Sequence, residues 1–233
     1  MKIAVMQPYL FPYVGYFQLI TAVDKFIILD DVNFINKGWI NRNRLLINGE
    51  PSFFTVPLQK ASQNKLIRDI QIAPDIKWRD TLLKTFQFNY SKAPYYNEVY
   101  PGLRELFSRD VNNIVELNYL SIQHTCCYLD IKTEIIPDPG RYENWHLNGQ
   151  HRILDICIQQ NADQYINPIG GMELYSRDLF EQACIKLVFL KSCAEPYTQF
   201  RHPFVPNLSI LDMMMFCKPD EIKNNLLSKY KLI

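Results

Sequence analysis

Five stretches of this 233-residue sequence gather the residue types that recognise anions, rings and exchangeable protons. In Lys37-Gly38-Trp39-Ile40-Asn41-Arg42-Asn43-Arg44, cations, amides and an indole share one short segment. Arg42 offers a planar fork to two phosphate oxygens and Lys37 a point charge, while Asn41 and Asn43 supply amide donors. Trp39 provides a face on which a sugar or base stacks. A solvated basic hairpin is the plainer alternative. Asp30 and Asp31 close an apolar run, where a carboxylate can bind a metal, orient a sugar hydroxyl or take a proton. Neighbouring strand residues point to opposite faces, so at most one of the two enters a shared site, and Asp30 is the candidate base. Asn148-Gly149-Gln150-His151-Arg152-Ile153 opens a helix whose first amides attract an anion. Gln150 and Arg152 therefore join the binding set. His151 is the second acid–base candidate, with His146 nearby, because imidazole titrates near neutrality.

Met6-Gln7-Pro8-Tyr9-Leu10-Phe11-Pro12-Tyr13-Val14-Gly15-Tyr16 packs prolines and aromatics between a strand and a helix. In an open α/β sheet such a loop lies at the ligand crevice, which assigns Gln7, Tyr13, Gly15 and Tyr16 to substrate binding. Tyr13-Val14-Gly15-Tyr16 repeats the HxGH spacing of adenylyl-transferring Rossmann-like enzymes, with tyrosine at both histidine positions. Tyrosine can donate to a phosphate but carries no charge near neutral pH. Tyr165 to Tyr175 holds Asn167 and two of the eight glycines, Gly170 and Gly171. Clustered glycine marks a close backbone approach to a ligand or an ordinary turn, and all three residues are binding candidates. The segment has neither GxGxxG nor Walker spacing.

These segments need elements to position them. Residues 2–6 read as a strand, Gly15 to Val23 as a helix and Lys25 to Leu29 as a second strand. The pair Asn48-Gly49 between apolar runs predicts a hairpin from about Arg44 to Leu58 and, through it, a mixed sheet. Helical spacing dominates from about 75 to 130, with Pro94 and Pro101 as interruptions. Helix, strand, helix and strand follow near Gln150 to Gln159, Gln164 to Asn167, Asp178 to Ala183 and Ile185 to Leu190. Leu208 to Phe216 and Asp220 to Leu227 read as closing helices. The expected fold is α/β: one domain over 1–233 with a mixed, largely parallel Rossmann-like sheet, a helical layer and C-terminal helices.

A net charge of +1, from 25 basic and 24 acidic residues, excludes a global field for nucleic acid or an anionic membrane, so any anion site is local. The longest apolar runs fall far short of the ~20 residues that cross a bilayer, and the N-terminus has no signal-peptide pattern, which points to the cytoplasm. The six cysteines lack CxxC spacing or a paired histidine, so they read as buried thiols and no metal site is expected.

Met6 to Phe17, Asp30-Asp31-Val32, Gly38 to Asn43, Asn167-Pro168-Ile169-Gly170-Gly171 and Pro206-Asn207-Leu208-Ser209-Ile210 together resemble successive signatures of the WbqC-like family. The resemblance runs from the first strand to the final helices. It implies a bacterial enzyme of surface-polysaccharide (O-antigen) precursor synthesis that joins an acyl or aminoacyl group to the amine of a nucleotide-linked amino sugar. The donor stays open between an acyl thioester and an amino acid activated with ATP. A non-catalytic sugar-nucleotide-binding or scaffold protein of the same pathway is the alternative. Manganese-dependent glycosyl transfer through Asp30 and Asp31 ranks below both, because the DxD spacing is absent.

Overall fold

Ile3 and Ala4 are fully buried and Val5 nearly so, and they form the middle of β1 (Lys2–Met6), the strand around which the sheet is built. The computed structural model describes residues 1–137, 139–200 and 203–233. β1 pairs in parallel with β2 (Lys25–Ile28) on one side and with β8 (Gln164–Pro168) on the other. β7 (Glu134–Ile136) extends the sheet beyond β2, and β9 (Lys186–Ser192) extends it beyond β8, again in parallel. β10 (Tyr230–Leu232) then adds an antiparallel edge on β9, giving the order β10-β9-β8-β1-β2-β7. The five parallel strands thus run 5-4-1-2-3 in chain order, the Rossmann arrangement.

Alternation along these strands sorts two cores. Ala4, Phe26, Ile28, Ile166, Val188 and Leu190 face one side, against α1 (Val14–Thr21) and the helices beyond it. Ile3, Val5, Ile27, Tyr165, Leu187 and Phe189 face the other. There they meet Ile153, Ile156 and Cys157 of α5 (Gly149–Gln159) and Phe180 of α6 (Arg177–Gln182). Parallel strands covered on both faces need such apolar residues on both. α1 is buried at every position but its last, so it reads as apolar all round rather than as a stripe. Its one strongly polar residue, Gln18, is fully buried and donates to the carbonyls of Leu226 (2.8 Å) and Lys229 (2.9 Å).

The expected helical layer over about 75–130 consists of α2 (Lys77–Tyr90), α3 (Tyr96–Ser108) and α4 (Ile114–Tyr128). Asn113 caps α4 by accepting from the Val115 amide at 2.7 Å. Pro94 falls between α2 and α3 as expected, whereas Pro101 lies inside α3 and does not end it. The buried stripe Val99, Leu103, Leu106 and Phe107 holds that helix together despite one absent amide hydrogen bond.

The Asn-Gly turn is present, with φ of 55° at Asn48 and 82° at Gly49, between β3 (Arg42–Ile47) and β4 (Glu50–Thr55). This hairpin is a separate two-stranded sheet, however, and so is the pair β5 (Leu58–Gln59) and β6 (Gln71–Ile72). The mixed character of the main sheet comes from β10, which follows the expected last helix. α7 (Ile210–Phe216) forms as expected, while Pro219–Glu221 makes only one helical turn and runs into a π turn, Ile222–Leu226.

Candidate functional site

β1 sends the chain through α1 to β2 on one side, while β8 sends it through α6 to β9 on the other, so their C-terminal ends flank a topological switch point. A cleft of about 450 Å³ opens there, beneath the N-terminus of α1. Met6 and Pro168 come from the two strand ends, and Tyr9, Pro12, Tyr13, Gly15 and Tyr16 from the first loop and helix. Trp39 comes from the turn before β3, Asn43 and Arg44 from the hairpin, and Asn207 from the segment before α7. Loops after β1 and β2, the end of β8 and the approach to α7 therefore converge.

The first loop is held by buried polar side chains belonging to other elements. Asn118 of α4 donates to the carbonyls of Pro8 (3.0 Å) and Ile40 (2.7 Å), and Asn43 donates to those of Leu10 and Phe11. Ser209 donates to Phe11 O at 2.7 Å, and Ser121 accepts from its amide at 3.2 Å. Phe11 has φ of 41°, a left-handed conformation that an aromatic side chain adopts only when the surroundings impose it. Gly15 has its own reason: a Cβ there would lie 2.6 Å from the Tyr13 hydroxyl oxygen, so the glycine lets the Tyr13 ring lie over the start of α1. α1 has no side-chain cap and no acidic residue in its first turn, leaving amides and a partial positive charge at the cleft.

Burial raises the pKa of Tyr9, with a smaller contribution from Tyr13, and burial alone raises that of Tyr13. Tyr16 is shifted further, chiefly by complete burial. All three stay protonated near neutrality and act as hydrogen-bonding groups rather than bases. The Tyr16 hydroxyl is already committed to the carbonyl of Gln7 at 2.9 Å. Arg44 supplies the cation of the cleft. Its Nη2 donates to Asn207 O at 3.0 Å, its guanidinium carbon lies 5.8 Å from the Trp39 ring centre, and its buried Nε has no hydrogen-bond partner. The indole of Trp39 is 40% exposed and so available as a stacking face.

The sequence expectations divide accordingly. Tyr13, Gly15, Tyr16, Trp39 and Asn43 line the cleft; Gln7, Lys37, Asn41, Arg42, Gln150, Arg152, Asn167, Gly170 and Gly171 do not. Arg42 is bonded within its own turn. Its Nε donates to Gly38 O at 3.2 Å, its Nη2 bonds the Lys37 carbonyl, and the guanidinium lies 4.2 Å over the Phe53 ring. The fork expected to grip a phosphate instead closes the 37–42 turn. Asn41 donates to Val56 O at 2.9 Å, holding the other end of the hairpin, and Lys37, with φ of 59°, is exposed at the turn. Gln150 accepts from the Ser176 amide at 2.8 Å. Asn167 bridges the Tyr165 hydroxyl (3.0 Å) and the Pro168 carbonyl (3.0 Å) on the opposite face of the sheet from Pro168. Gly171 makes room for Asn167, and Gly170 has open space around it.

Neither candidate acid–base residue lines the cleft. Asp30 is buried at the end of β2, where its carbonyl accepts from the Arg68 amide at 3.0 Å. His151 is exposed on α5. Asp31, the other half of the pair, forms a buried ion pair with Arg152, which also donates to the Asp31 carbonyl (3.3 Å) and to Asn144 Oδ1 (3.0 Å). Arg152 therefore serves as a counter-ion inside the fold. Among the described residues no group of three or more histidine, cysteine or carboxylate side chains could hold a metal, and no helix is long and apolar enough to cross a membrane.

Arg44 is the functional candidate that sequence reasoning passed over. Alternation along β3 puts Arg42 and Arg44 on one face, and only the folded hairpin decides which of them is satisfied by nearby carbonyls. Asn207 carried no chemical signal of its own. It stands in the left-handed region, with φ of 57°, and places its carbonyl against Arg44.

Comparison with known proteins is consistent with these features belonging to a recognised group. The family model described as the WbqC-like protein family matches residues 7–224. A protein of Mycobacterium tuberculosis described as uncharacterized, Rv1507c, is 28% identical over 217 residues, which cover 91% of this chain and 92% of that protein. No solved structure matches.

Proposed function

The chain belongs to the WbqC-like protein family, and on that footing we propose that its switch-point cleft binds a nucleotide-linked amino sugar for surface-polysaccharide precursor synthesis. The reaction that fits the reading is transfer of an acyl or aminoacyl group to the sugar amine. One observation carries it: Arg44, with an unsatisfied Nε, and the uncapped start of α1 stand in the same cleft as the exposed face of Trp39. An anionic group beside a ring is the ligand chemistry such a combination recognises. The Tyr9 and Tyr13 hydroxyls add hydrogen-bonding groups for a sugar.

A specific observation also favours the non-catalytic reading of the same site. Among the described residues no carboxylate or imidazole lines the cleft, so a general base for the attacking amine would have to come from the substrate, the donor or water. The two readings separate in one experiment. Purified protein is incubated with a nucleotide-linked amino sugar and either an acyl thioester or glycine with ATP, and amide product is followed by mass spectrometry alongside calorimetric binding. Amide formation supports the transferase or ligase. Saturable binding with no amide under either donor supports the binding protein, and absence of binding to any nucleotide-linked amino sugar rejects both.

A further inference from the structure

A second cleft, of about 460 Å³, opens beyond the end of β2 at the N-terminus of α5 and shares no lining residue with the first. Five features of its wall belong together. α5 is an 11-residue helix whose N-cap, Asn148, makes no side-chain capping bond, and its first turn carries no acidic residue. Its leading amides and positive dipole end therefore lack an internal partner. Gly149 begins that helix with φ of 53°, and a Cβ there would meet nothing within 4 Å, so a ligand can approach the backbone closely. Arg68 is exposed and forms no ion pair among the described residues. Trp145 is 67% exposed, an unusual situation for an indole, and presents a flat apolar face to the same opening.

The fifth feature points to a ligand independently of the helix end. The Asp31 side chain is only 3% exposed and lines this cleft. Arg152 takes its Oδ2 and its carbonyl, but Oδ1 has no hydrogen-bond partner. A buried carboxylate oxygen without a donor is rare, because the desolvation it suffers goes uncompensated. An oxygen of this kind accepts from a hydroxyl or an amine and repels an anion. The site thus asks for one molecule with an anionic end, a ring and a donor between them. Arg152 is neutralised by Asp31, so Arg68 and the helix end supply the net positive field.

We propose that this second cleft binds a nucleoside phosphate. The phosphate sits on the α5 amides and Arg68, the base stacks on Trp145, and a ribose hydroxyl donates to Asp31 Oδ1. The inference goes beyond the reading of the first cleft and does not depend on it.

Adenosine 5′-monophosphate is the probe, titrated into the full chain by calorimetry and by tryptophan fluorescence, with Trp39→Phe and Arg44→Ala together as the background that removes the signal and the cation of the first cleft. The expected result is saturable binding with a fluorescence change that vanishes in Trp145→Phe. Arg68→Ala should weaken binding by at least about tenfold, the scale of one charge-assisted hydrogen bond. Adenosine and inorganic phosphate should each bind less tightly than the monophosphate. Both substituted residues are exposed, and circular dichroism checks that the variants fold. The inference is overturned if the monophosphate does not bind, if Arg68→Ala and Trp145→Ala bind it as the unmodified chain does, or if inorganic phosphate or glycine binds as tightly. The second cleft is read through Arg68 and Trp145 and the first through Arg44 and Trp39, so failure of one inference leaves the other standing.

Discussion

The amide nitrogen of Asn43 lies 2.8 Å from the carbonyl oxygen of Phe11, and through this bond the hairpin holds the first loop in its left-handed turn. The same nitrogen reaches Leu10 O at 3.0 Å, and Asn43 Oδ1 accepts from the Arg44 amide at 2.8 Å. Asn43→Leu would take this partner from the Leu10 carbonyl and the Arg44 amide and leave Phe11 O to Ser209. Unfolding in urea should show a loss of about 2–4 kcal/mol, since each unsatisfied group costs roughly 1–3 kcal/mol. A change below about 0.5 kcal/mol would mean that Asn118, Ser121 and Ser209 hold the loop without it.

Arg42 and Arg44 should respond oppositely to the same substitution. Arg42→Lys removes the fork between the Lys37 and Gly38 carbonyls and the stack on Phe53, so stability should fall by about 1–2 kcal/mol with ligand affinity unchanged. Arg44→Lys should weaken binding of a nucleotide-linked amino sugar about tenfold while costing less stability. Thermal melts and calorimetry on both variants check this. Equal affinity losses in the two would return Arg42 to the binding set.

Arg152→Met strands the Asp31 carboxylate in a site where its side chain is 3% exposed. The expected cost is about 3–5 kcal/mol, because an uncompensated buried charge replaces a pair. The double variant Asp31→Leu with Arg152→Met should be less destabilised than Arg152→Met alone. If chemical denaturation shows the two changes to be additive, the pair is not coupled as its geometry requires.

Asp212 is fully buried and accepts from Tyr90 (2.6 Å), Tyr197 (2.6 Å) and Gln199 (2.7 Å), joining α2, α7 and the segment before it. Burial raises its pKa above the ordinary 3.8, and the three donors only partly offset that. The native state therefore binds the proton more tightly than the unfolded chain does. Its stabilising contribution is complete below about 3.8 and is lost as pH rises through the higher folded-state pKa. The difference in stability between the unmodified chain and Asp212→Asn, measured by urea titration at a series of pH values, should shrink across that window and level off above it. A difference that grows with pH would show that the hydrogen bonds outweigh burial.

The β-α-β opening, the hairpin at Asn48-Gly49, the helical stretch over about 75–130 and the later alternation were legible in the chain. Their periods of 2 and 3.6 and their turn residues are local properties. So was the importance of the first loop, because prolines and aromatics between a strand and a helix have few other uses. The short strands β7 and β10 were not legible, since three residues carry too little pattern and pair only because neighbouring strands offer free edges. Nor did composition show that the hairpin would stand apart from the main sheet.

The division of labour among polar residues was decided by tertiary structure alone. Arg42, Asn41, Gln150 and Arg152 have the chemistry of ligand-binding groups, and each is taken up by a carbonyl, an amide or a carboxylate that is distant in sequence or set by a turn. Arg44, two residues from Arg42 on the same strand face, keeps a free donor because the segment around Asn207 reaches only its Nη2. Residue type determines what a group can bond to; which partner arrives first depends on the path of the whole chain.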